Sequence, residues 1–365
     1  MKIPGRDTLV LGGNLLAERL GLFRIEREPD RVRALAREGV LVVACTALGD
    51  AIMNTPLLRK LRAFLPGSRL GFMVKDPFAG LFEHHAHGVR VHRYYKKYRR
   101  EREVVESVRS GGYRVALLSN ANDPDVVALL RRAGVRAFLR RPTRDSQYRD
   151  WMANLGELRR PEDADYASGH AILQNLAMAE WLGAVVTPED YTTEVFFTPG
   201  DTAEVEARLA GTGPLIVLHP GASRDYKKWP ESNFVELIKL LRAPGRRFVL
   251  TGSGAERDVA AAITGVAGEN VVNLAGELTL RQMAALYARA RVMISGDTGP
   301  YHLATAVGCP TVTLFAPRDL GSDVGACGPL FDTHSHVALR TGGFGRPVTE
   351  ITPAQLAVQA GRFLA

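Results

Sequence analysis

The residues best suited to binding or catalysis lie next to glycines at the predicted ends of strands. The most specific pattern is Asp297-Thr298-Gly299, which follows an apolar run and precedes a helix of small residues. The backbone amides of Thr298 and Gly299 would lie at the positive end of that helix, where an anion can bind. A carboxylate does not suit an anion site, so we expect Asp297 to contact another group, such as a sugar hydroxyl. His302, one turn into the helix, could face the same ligand.

Two other strand ends have features that suit a nucleoside diphosphate. After the predicted strand Leu215–Leu218, Ser223 can donate a hydrogen bond and Lys227 can supply a positive charge to a phosphate. A basic surface loop is the alternative interpretation. After the predicted strand Phe248–Thr251, a glycine turn precedes Glu256, whose carboxylate could accept hydrogen bonds from a ribose diol. Such a turn is a weak signal, because similar turns also serve only to reverse the chain.

A fourth strand end carries a candidate general base. Asp50 follows the predicted strand Val40–Cys45 and Gly49, and it opens the next predicted helix. Aspartate is a good helix N-cap, so a purely structural role is one interpretation. The other is a carboxylate that accepts a proton from an attacking hydroxyl. Together the four segments suit the transfer of a glycosyl group from a sugar nucleotide.

The composition is that of a folded, basic protein. The 365 residues are 46% apolar and 24% charged, which excludes disorder, collagen-like repeats and a fibrous coil for the whole chain. The net charge of +8 indicates an anionic partner, such as nucleic acid, phospholipid or a phosphorylated small molecule. Three cysteines without C-x-x-C spacing argue against a disulfide framework and a thiolate zinc site, and favour a cytosolic protein.

The excess of positive charge is concentrated in one segment of the N-terminal half. Residues 93–144 contain 14 Lys or Arg and 5 Asp or Glu. A solvated basic face is the simplest interpretation, but in an acceptor-binding domain these residues could hold a phosphorylated or carboxylated glycolipid at a membrane surface. Nucleic acid is disfavoured because no recognition motif accompanies the charges. The candidate acceptor residues are Lys96, Lys97, Arg99, Arg140, Arg141 and Arg144.

Short β-branched segments alternate with longer amphipathic ones from residue 39 onward, which predicts parallel sheets flanked by helices. The alternation pauses where prolines and glycines are dense and then restarts. We therefore expect two α/β domains with a cleft between them, residues 39–185 and 214–365, joined by a linker at 186–213. The other predicted strands are Arg69–Val74, Val115–Leu118, Val292–Ser295 and Thr311–Phe315. The predicted helices include Ala51–Phe64, Glu231–Leu241, Glu256–Thr264 and Arg281–Ala288.

Residues 1–38 precede this pattern and are expected to form a helical N-terminal extension. Leu16, Leu20 and Phe23 fall on one helical face, so we expect the helix to pack on the body of the protein. A helix on a membrane surface is the alternative. No apolar run reaches the ~18–20 residues that a membrane span needs, and no signal-peptide cleavage site follows an apolar core.

Three of these segments resemble the ADP-heptose:lipopolysaccharide heptosyltransferases, family nine of the glycosyltransferases. They are L-G-D-A-I-M-N-T-P-L-L at 48–58, H-P-G-A-S-R-D-Y-K-K-W-P at 219–230 and G-D-T-G-P-Y-H-L-A at 296–304, in the order and spacing of the family. The resemblance covers about residues 40–360. It implies a GT-B fold, which is two Rossmann-like domains with parallel sheets facing a central cleft. The last helix of such a fold can pack back on the N-terminal domain.

The resemblance also implies an inverting, metal-independent glycosyltransferase without a cofactor, which moves a heptose from ADP-heptose to a lipopolysaccharide-core or related glycan acceptor. The matching residues are Asp50 as the base, Ser223, Lys227, Thr298 and Gly299 at the donor phosphates, Glu256 at the ribose, and Asp297 and His302 at the sugar. Trp229 is expected to pack and not to bind. The implied partners are the nucleotide-sugar donor and an anionic glycolipid or glycan, in the cytoplasm or peripherally on the cytoplasmic face of the inner membrane.

Two Asp-x-Asp strings have the pattern with which another class of glycosyltransferase holds a divalent metal. The string at 123–125 suits a helix start, since Asp is a good cap and Pro fits the first turn. The string at 163–165 lies in a polar loop. We interpret both as structural and expect no metal site.

Other functions on the same architecture remain open from sequence alone. One is a glycosyltransferase that uses another nucleotide sugar, or a capsule or secondary-metabolite acceptor. A second is a sugar-nucleotide epimerase or hydrolase, which would turn over the donor without an acceptor. A third is a binding module that has lost its chemistry, although the presence of Asp50, Lys227 and Asp297 argues against it.

Overall fold

The chain folds into two compact units, Met1–Tyr191 and Thr192–Ala365, each with its own parallel sheet flanked by helices. The α/β class predicted from the alternating segments is therefore confirmed. The structure is a computed structural model, and the residues that it describes are 5–22, 24–120, 125–140, 169–209, 213–222, 224–319 and 322–364.

The first unit contains a five-stranded sheet with the strand order β3-β2-β1-β4-β5. Its strands are β1 (Gly39–Ala44), β2 (Arg69–Lys75), β3 (Arg90–Tyr94), β4 (Val115–Asn120) and β5 (Ala137–Arg140). The central strand β1 is buried along its whole length, which explains its continuous apolar sequence. The direction of strand succession reverses between β1 and β4, and ligands of open parallel sheets bind beyond the carboxyl ends of the strands at such a reversal.

The helices of this unit flank the sheet or precede it. They are α1 (Gly5–Arg19), α2 (Pro29–Glu38), α3 (Leu48–Ile52), α4 (Thr55–Phe64), α5 (Asp76–Phe82), α6 (Glu101–Gly111), α7 (Asp125–Arg132) and α8 (Ala171–Trp181). The single helix predicted over Ala51–Phe64 is wrong in one respect, since the chain forms two helices there. Pro56 lacks an amide hydrogen and lies in the first turn of α4, so it starts a new helix.

Residues 5–19 and 29–38 form the two helices α1 and α2. Helix α1 packs on α7, but Leu16 and Leu20 remain 57% and 64% exposed. The α1–α7 contact agrees with the expected packing of this helix on the body of the protein, but it leaves Leu16 and Leu20, the side chains expected to mediate that packing, open to solvent. Phe23, the third residue of the predicted face, lies outside the described residues.

A buried group of polar side chains joins α6 to the first sheet. His92 of β3 contacts the hydroxyls of Ser107 and Tyr113 through its two ring nitrogens, each at 2.8 Å. The Tyr113 ring occupies space left by Gly71 and Gly111, where an added Cβ would lie 2.4 and 2.2 Å from ring atoms. Both glycines are therefore required by close packing in this part of the core.

The second unit contains a six-stranded sheet with the order β11-β10-β9-β6-β7-β8. Its strands are β6 (Leu215–His219), β7 (Arg247–Leu250), β8 (Val271–Asn273), β9 (Val292–Gly296), β10 (Thr311–Phe315) and β11 (His336–Arg340). Its helices are α9 (Pro199–Arg208), α10 (Glu231–Leu241), α11 (Arg257–Ala267), α12 (Leu280–Arg289), α13 (Gly299–Ala306), α14 (Val324–Cys327) and α15 (Pro353–Gly361). Here the strand succession reverses between β6 and β9.

The core of the second unit includes Trp229, which directly follows Lys227 and Lys228. Trp229 is buried, its Nε1 donates a hydrogen bond to the carbonyl of Ile351 at 2.9 Å, and its ring packs edge-on against Phe234. It therefore packs, as predicted.

The segment between the two sheets, residues 186–213, carries short helices. A 3-10 helix, Pro188–Tyr191, ends the first unit, and α9 belongs to the second unit, where it packs on α12. The last helix, α15, packs on α10 of its own unit. None of the helices in the described ranges combines the length and the apolar sequence that a membrane-spanning segment requires.

Candidate functional site

Three loops with predicted site residues leave the same edge of the second sheet. Strands β7, β6 and β9 are parallel neighbours, so their carboxyl ends lie side by side. The loops that follow them carry Glu256, Lys227 and Asp297, respectively. Because the strand succession reverses between β6 and β9, Lys227 and Asp297 flank the position where this class of sheet binds its ligands.

Lys227 and Asp297 form an ion pair across this reversal. The ammonium donates a hydrogen bond to the Asp297 carboxylate, and its Nζ lies 3.3 Å from the Asp297 carbonyl oxygen. The two side chains are 16% and 8% exposed. Burial lowers the pKa of Lys227, but the attraction and hydrogen bond of the Asp297 carboxylate outweigh burial, so the net pKa is raised. Lys227 therefore remains a cation at neutral pH.

The other carboxylate oxygen of Asp297 faces two further side chains. His302 Nε2 lies 4.0 Å from Oδ1, and the Cys327 thiol donates a hydrogen bond to the same oxygen at 3.8 Å. The structure thus brings together Lys227, Asp297 and His302, which the sequence predicted separately. Cys327 was missed, because a cysteine in α14 has no spacing motif that connects it to Asp297.

The start of α13 presents the backbone amides predicted to bind an anion. Thr298 precedes the helix, Gly299 is its first residue, and both are half-buried. The Thr298 hydroxyl donates to the carbonyl of Gly296 at 3.3 Å and does not cap the helix itself. Pro300 has no amide hydrogen to satisfy in the first turn. Ser223, the other predicted phosphate ligand, lies outside the described residues.

Glu256 has a local structural role that was not predicted from the sequence. One carboxylate oxygen, Oε2, accepts hydrogen bonds from the amide and the hydroxyl of Ser253, at 2.7 and 2.5 Å. Ser-x-x-Glu before a helix is the signature of a capping box and could have been recognised. The side chain fits against Gly221 and Gly252, where an added Cβ would lie 2.8 and 2.7 Å from it. The capping bonds fix the carboxylate beside the loop that follows β6.

A chain of buried polar groups lies below these loops. His219 Nδ1 is 3.2 Å from the Thr251 hydroxyl, which is 3.2 Å from the Tyr287 hydroxyl. Burial lowers the pKa of His219 to about 4, although the charge of Glu256 acts in the opposite direction. The ring is therefore neutral at pH 7 and adds no charge beneath the edge that carries Lys227.

The predicted base, Asp50, is the third residue of α3 and not its N-cap. Its Oδ2 accepts hydrogen bonds from the Thr46 hydroxyl and from the amide of Ala47, the latter at 3.2 Å. The side chain is half-buried. Within the described part of the chain, Oδ1 has no hydrogen-bond partner. Asp50 therefore accepts the hydrogen bonds that cap the start of α3. Its second carboxylate oxygen stays available at the carboxyl end of β1.

Buried amides hold the end of α3 in place. Asn54 donates to the carbonyl of Asp50 at 2.8 Å, and Asn175 of α8 donates to the carbonyl of Met53 at 2.9 Å. The Ser119 hydroxyl in turn donates to Asn175 Oδ1 at 2.7 Å. Sequence reasoning missed Ser119 and Asn175, because their partners are distant in sequence.

The predicted acceptor residues occupy different parts of the first unit. Lys96, Lys97 and Arg99 lie in the loop after β3, whereas Arg140 ends β5 and is only 6% exposed. Because β3 and β5 are opposite edges of the sheet, with three strands between them, their backbones are roughly 19 Å apart. The structure therefore does not place Arg140 on the same surface as the lysines. Arg141 and Arg144 lie outside the described residues.

The last residue of the first Asp-x-Asp string has a structural role. Asp125 is buried and accepts hydrogen bonds from the Tyr94 hydroxyl and the Tyr98 amide, each at 3.0 Å. It thus ties the basic loop after β3 to the start of α7. The rest of this string and the string at 163–165 lie outside the described residues.

Known proteins resemble this chain in sequence and in fold. Residues 125–337, more than half of the chain, match the model of glycosyltransferase family 9 (heptosyltransferase). Lipopolysaccharide heptosyltransferase 1 of Salmonella typhimurium is 27% identical over 296 residues, which cover 77% of this chain and 89% of that protein.

Two solved structures share the fold. A family 9 glycosyltransferase from Veillonella parvula has a TM-score of 0.74 and 18% identity, over 90% of this chain and 97% of that one. The E. coli ADP-heptose lipopolysaccharide heptosyltransferase II has a TM-score of 0.72 and 24% identity, over 89% and 98%. The predicted GT-B fold is confirmed by these similarities. The match over residues 125–337 goes further and shows that the chain belongs to glycosyltransferase family 9, the heptosyltransferases.

Proposed function

We propose that this glycosyltransferase moves a heptose from ADP-heptose to a lipopolysaccharide-core or related glycan acceptor, with inversion at the anomeric carbon and without a metal. The observation that carries the proposal is the buried Lys227–Asp297 pair beside the start of α13, at the reversal of the second sheet. A cation and the backbone amides at the start of a helix suit a diphosphate, and a carboxylate at the same place suits sugar hydroxyls. The names of the relatives favour ADP-heptose as the donor.

In this proposal the donor phosphates contact Lys227, the amides of Thr298 and Gly299, and Ser223. Lys227 is charged before the donor arrives, because Asp297 raises its pKa. The diphosphate competes with Asp297 for the ammonium. As the bond between the anomeric carbon and the diphosphate oxygen breaks, the charge that develops on ADP is stabilised by these fixed donors.

Asp297 and His302 are proposed to bind the heptose of the donor, and Glu256 its ribose. Asp297 can accept hydrogen bonds from heptose hydroxyls, and His302 lies beside the same carboxylate oxygen. Glu256 uses Oε2 for its cap, which leaves Oε1 to accept from the ribose. The capping bonds thereby orient the carboxylate before the nucleotide binds.

The first unit is proposed to supply the base and the acceptor site. Asp50 takes the proton of the acceptor hydroxyl, whose oxygen bonds to the anomeric carbon as ADP leaves with the electrons of the broken bond. Thr46 and Ala47 hold Oδ2 so that Oδ1 can receive the proton. We propose that the basic residues bind an anionic glycolipid or glycan, with the enzyme in the cytoplasm or at the inner membrane. They are Lys96, Lys97, Arg99, Arg141 and Arg144; Arg140 is left out, because it is buried at the opposite edge of the sheet.

Calorimetric titration of EDTA-treated protein with ADP, UDP, GDP and ADP-heptose tests the donor. We expect ADP and ADP-heptose to bind without a metal and more tightly than the other nucleotides. Tighter binding of UDP or GDP would overturn the choice of donor. A requirement for a divalent ion would overturn the metal-free reaction.

Asp50→Asn tests the base, because asparagine can still accept the hydrogen bonds from Thr46 and Ala47 that cap the start of α3. We expect transfer to fall by about 10²- to 10⁴-fold, while the affinity for ADP stays unchanged. The matched control is Asp76→Asn, which neutralises the first residue of α5 after β2 and should leave transfer intact. Equal loss of transfer and ADP binding in Asp50→Asn would mean that the residue is structural.

A further inference from the structure

A cavity lies in the first unit, away from the carboxyl edge of the sheet. Its volume is about 670 Å³, which is within the usual range of small-molecule sites. It is bordered by α2 and by the residues that directly precede β1 and β5, so it lies at the amino-terminal edge of the strands. The apolar part of its lining is formed by Ala34, Leu35 and Val135, and the charged part by four arginines and two glutamates.

One wall of this cavity is fixed by the chain between α1 and α2. The amide of Glu26 donates to the carbonyl of Arg136 at 2.9 Å, and Ile25 packs on the hydrophobic core of the unit. Arg24, next in the chain to Ile25, is therefore held near Arg136. The two arginines are far apart in sequence but border one cavity.

The carboxylates of the lining already have partners. Glu38 forms an ion pair with Arg114 at 3.0 Å. Glu26 accepts hydrogen bonds from two backbone amides, each at 3.1 Å, and pairs with Arg31 at 3.8 Å. Glu38 is thus paired outside the cavity, and Glu26 pairs with Arg31 and also attracts Arg24 electrostatically.

Arg24 and Arg136 are the arginines of the lining best placed to bind an anion, since Glu26 attracts Arg24 without an ion pair. Both are exposed, and in the described ranges neither has a carboxylate within ion-pair distance. Guanidinium groups bind phosphate through paired hydrogen bonds more specifically than lysines do. We propose that this cavity binds a phosphate group through Arg24 and Arg136, with an apolar part of the same molecule against Leu35 and Val135.

The surface next to the cavity favours a lipid as the source of that phosphate. Leu20 and Leu22, which directly precede the segment with Arg24, are 64% and 75% exposed. Exposed leucines beside arginines suit the boundary between the headgroups and the acyl chains of an anionic membrane. A soluble phosphorylated compound is the other source of the same chemistry. The inference is independent of the proposed transfer reaction, since binding alone tests it.

The experiment compares Arg24→Gln/Arg136→Gln with the wild-type protein. The matched control is Arg291→Gln/Arg362→Gln, which removes the same charge from exposed positions of the second unit. The probes are vesicles of phosphatidylcholine with and without phosphatidylglycerol, measured by sedimentation, and soluble glycerol 3-phosphate, measured by calorimetry. Circular dichroism verifies that each variant is folded.

We expect wild-type protein to bind the phosphatidylglycerol vesicles, and the Arg24/Arg136 variant to bind them roughly thirty-fold more weakly. Binding of glycerol 3-phosphate alone, weakened by the same variant, would support the phosphate site with a soluble ligand. Absence of binding to both probes would overturn the proposal. An equal loss in the Arg291/Arg362 variant would also overturn it, because the effect would then come from net charge.

Discussion

At the scale of single residues, the Lys227–Asp297 pair determines how the candidate donor site is charged. The carboxylate compensates the ammonium while no donor is bound, so a buried cation is not left alone. In the proposed donor complex, the diphosphate would replace one anionic partner of Lys227 with another. The two residues therefore should affect nucleotide binding in different directions.

Lys227→Met should weaken ADP binding by about ten- to a hundred-fold, because it removes a charge-assisted hydrogen bond to phosphate. Asp297→Asn should preserve or strengthen ADP binding, since the ammonium no longer has a competing carboxylate, while it weakens the preference for ADP-heptose over ADP. Calorimetry with both ligands measures these effects. Lys228→Met is the matched control, because Lys228 is exposed and pairs with the exposed Asp225. Equal effects of the two lysine variants would contradict a specific role of Lys227.

The sequence predicted these residues because each follows a strand at a glycine-bearing loop. It could not predict that Lys227 and Asp297 pair with each other, since 70 positions separate them and only the strand order brings them together. The contact between Cys327 and Asp297 depends in the same way on the fold.

At the scale of secondary-structure elements, the strands that were missed share one property. All strands predicted from apolar runs lie inside a sheet, and the four that were not predicted, β3, β5, β8 and β11, are the sheet edges. An edge strand has a neighbour on one side only, so its sequence need not be continuously apolar. Strand β3 contains two arginines and a histidine, and β8 has only three residues, all half-buried.

The buried group that joins α6 to β3 makes stability depend on pH. Burial, and secondarily Arg90, lower the pKa of His92 from its ordinary 6.5 to about 4. Above pH 6.5 the ring is neutral in both states and has no effect. As the pH falls from 6.5 towards 4, the unfolded chain binds a proton that the folded chain excludes, so stability decreases, by up to ~3 kcal/mol for such a shift.

His92→Gln should therefore have a shallower loss of stability in acid than the wild-type protein. The measurement is urea unfolding at a series of pH values from about 8 to about 4. The variant will be less stable at neutral pH, because it loses contacts with Ser107 and Tyr113, so the slope is the informative quantity. His84→Gln, at an exposed position, should keep the wild-type slope. Equal slopes for all three proteins would contradict a neutral buried His92.

At the scale of the whole molecule, each unit has its own sheet and its own hydrophobic core. The candidate donor residues all belong to the second unit, and Asp50 belongs to the first. A ligand that binds only the native form of one unit stabilises that unit by mass action. The two units should therefore respond differently to a nucleotide.

ADP without an acceptor should protect the second unit and leave the first nearly unchanged. At a hundred times its Kd, the stabilisation would be about 2.7 kcal/mol. Hydrogen exchange followed by mass spectrometry can measure this peptide by peptide, with the strongest protection in the loops after β6, β7 and β9. Peptides from α3 and α4 serve as the internal control. Equal protection of both units would mean that they respond as one.

The capping hydrogen bonds of Asp50 and Glu256 have an evolutionary consequence. Each carboxylate accepts a hydrogen bond from the backbone three residues earlier, a task that the corresponding amide side chain can also perform. A single nucleotide change that converts Asp50 to asparagine would then remove the proposed base and preserve the fold. A related protein that still binds the nucleotide sugar but no longer transfers the sugar could therefore arise by one mutation. A search for such proteins in related genomes should begin at position 50.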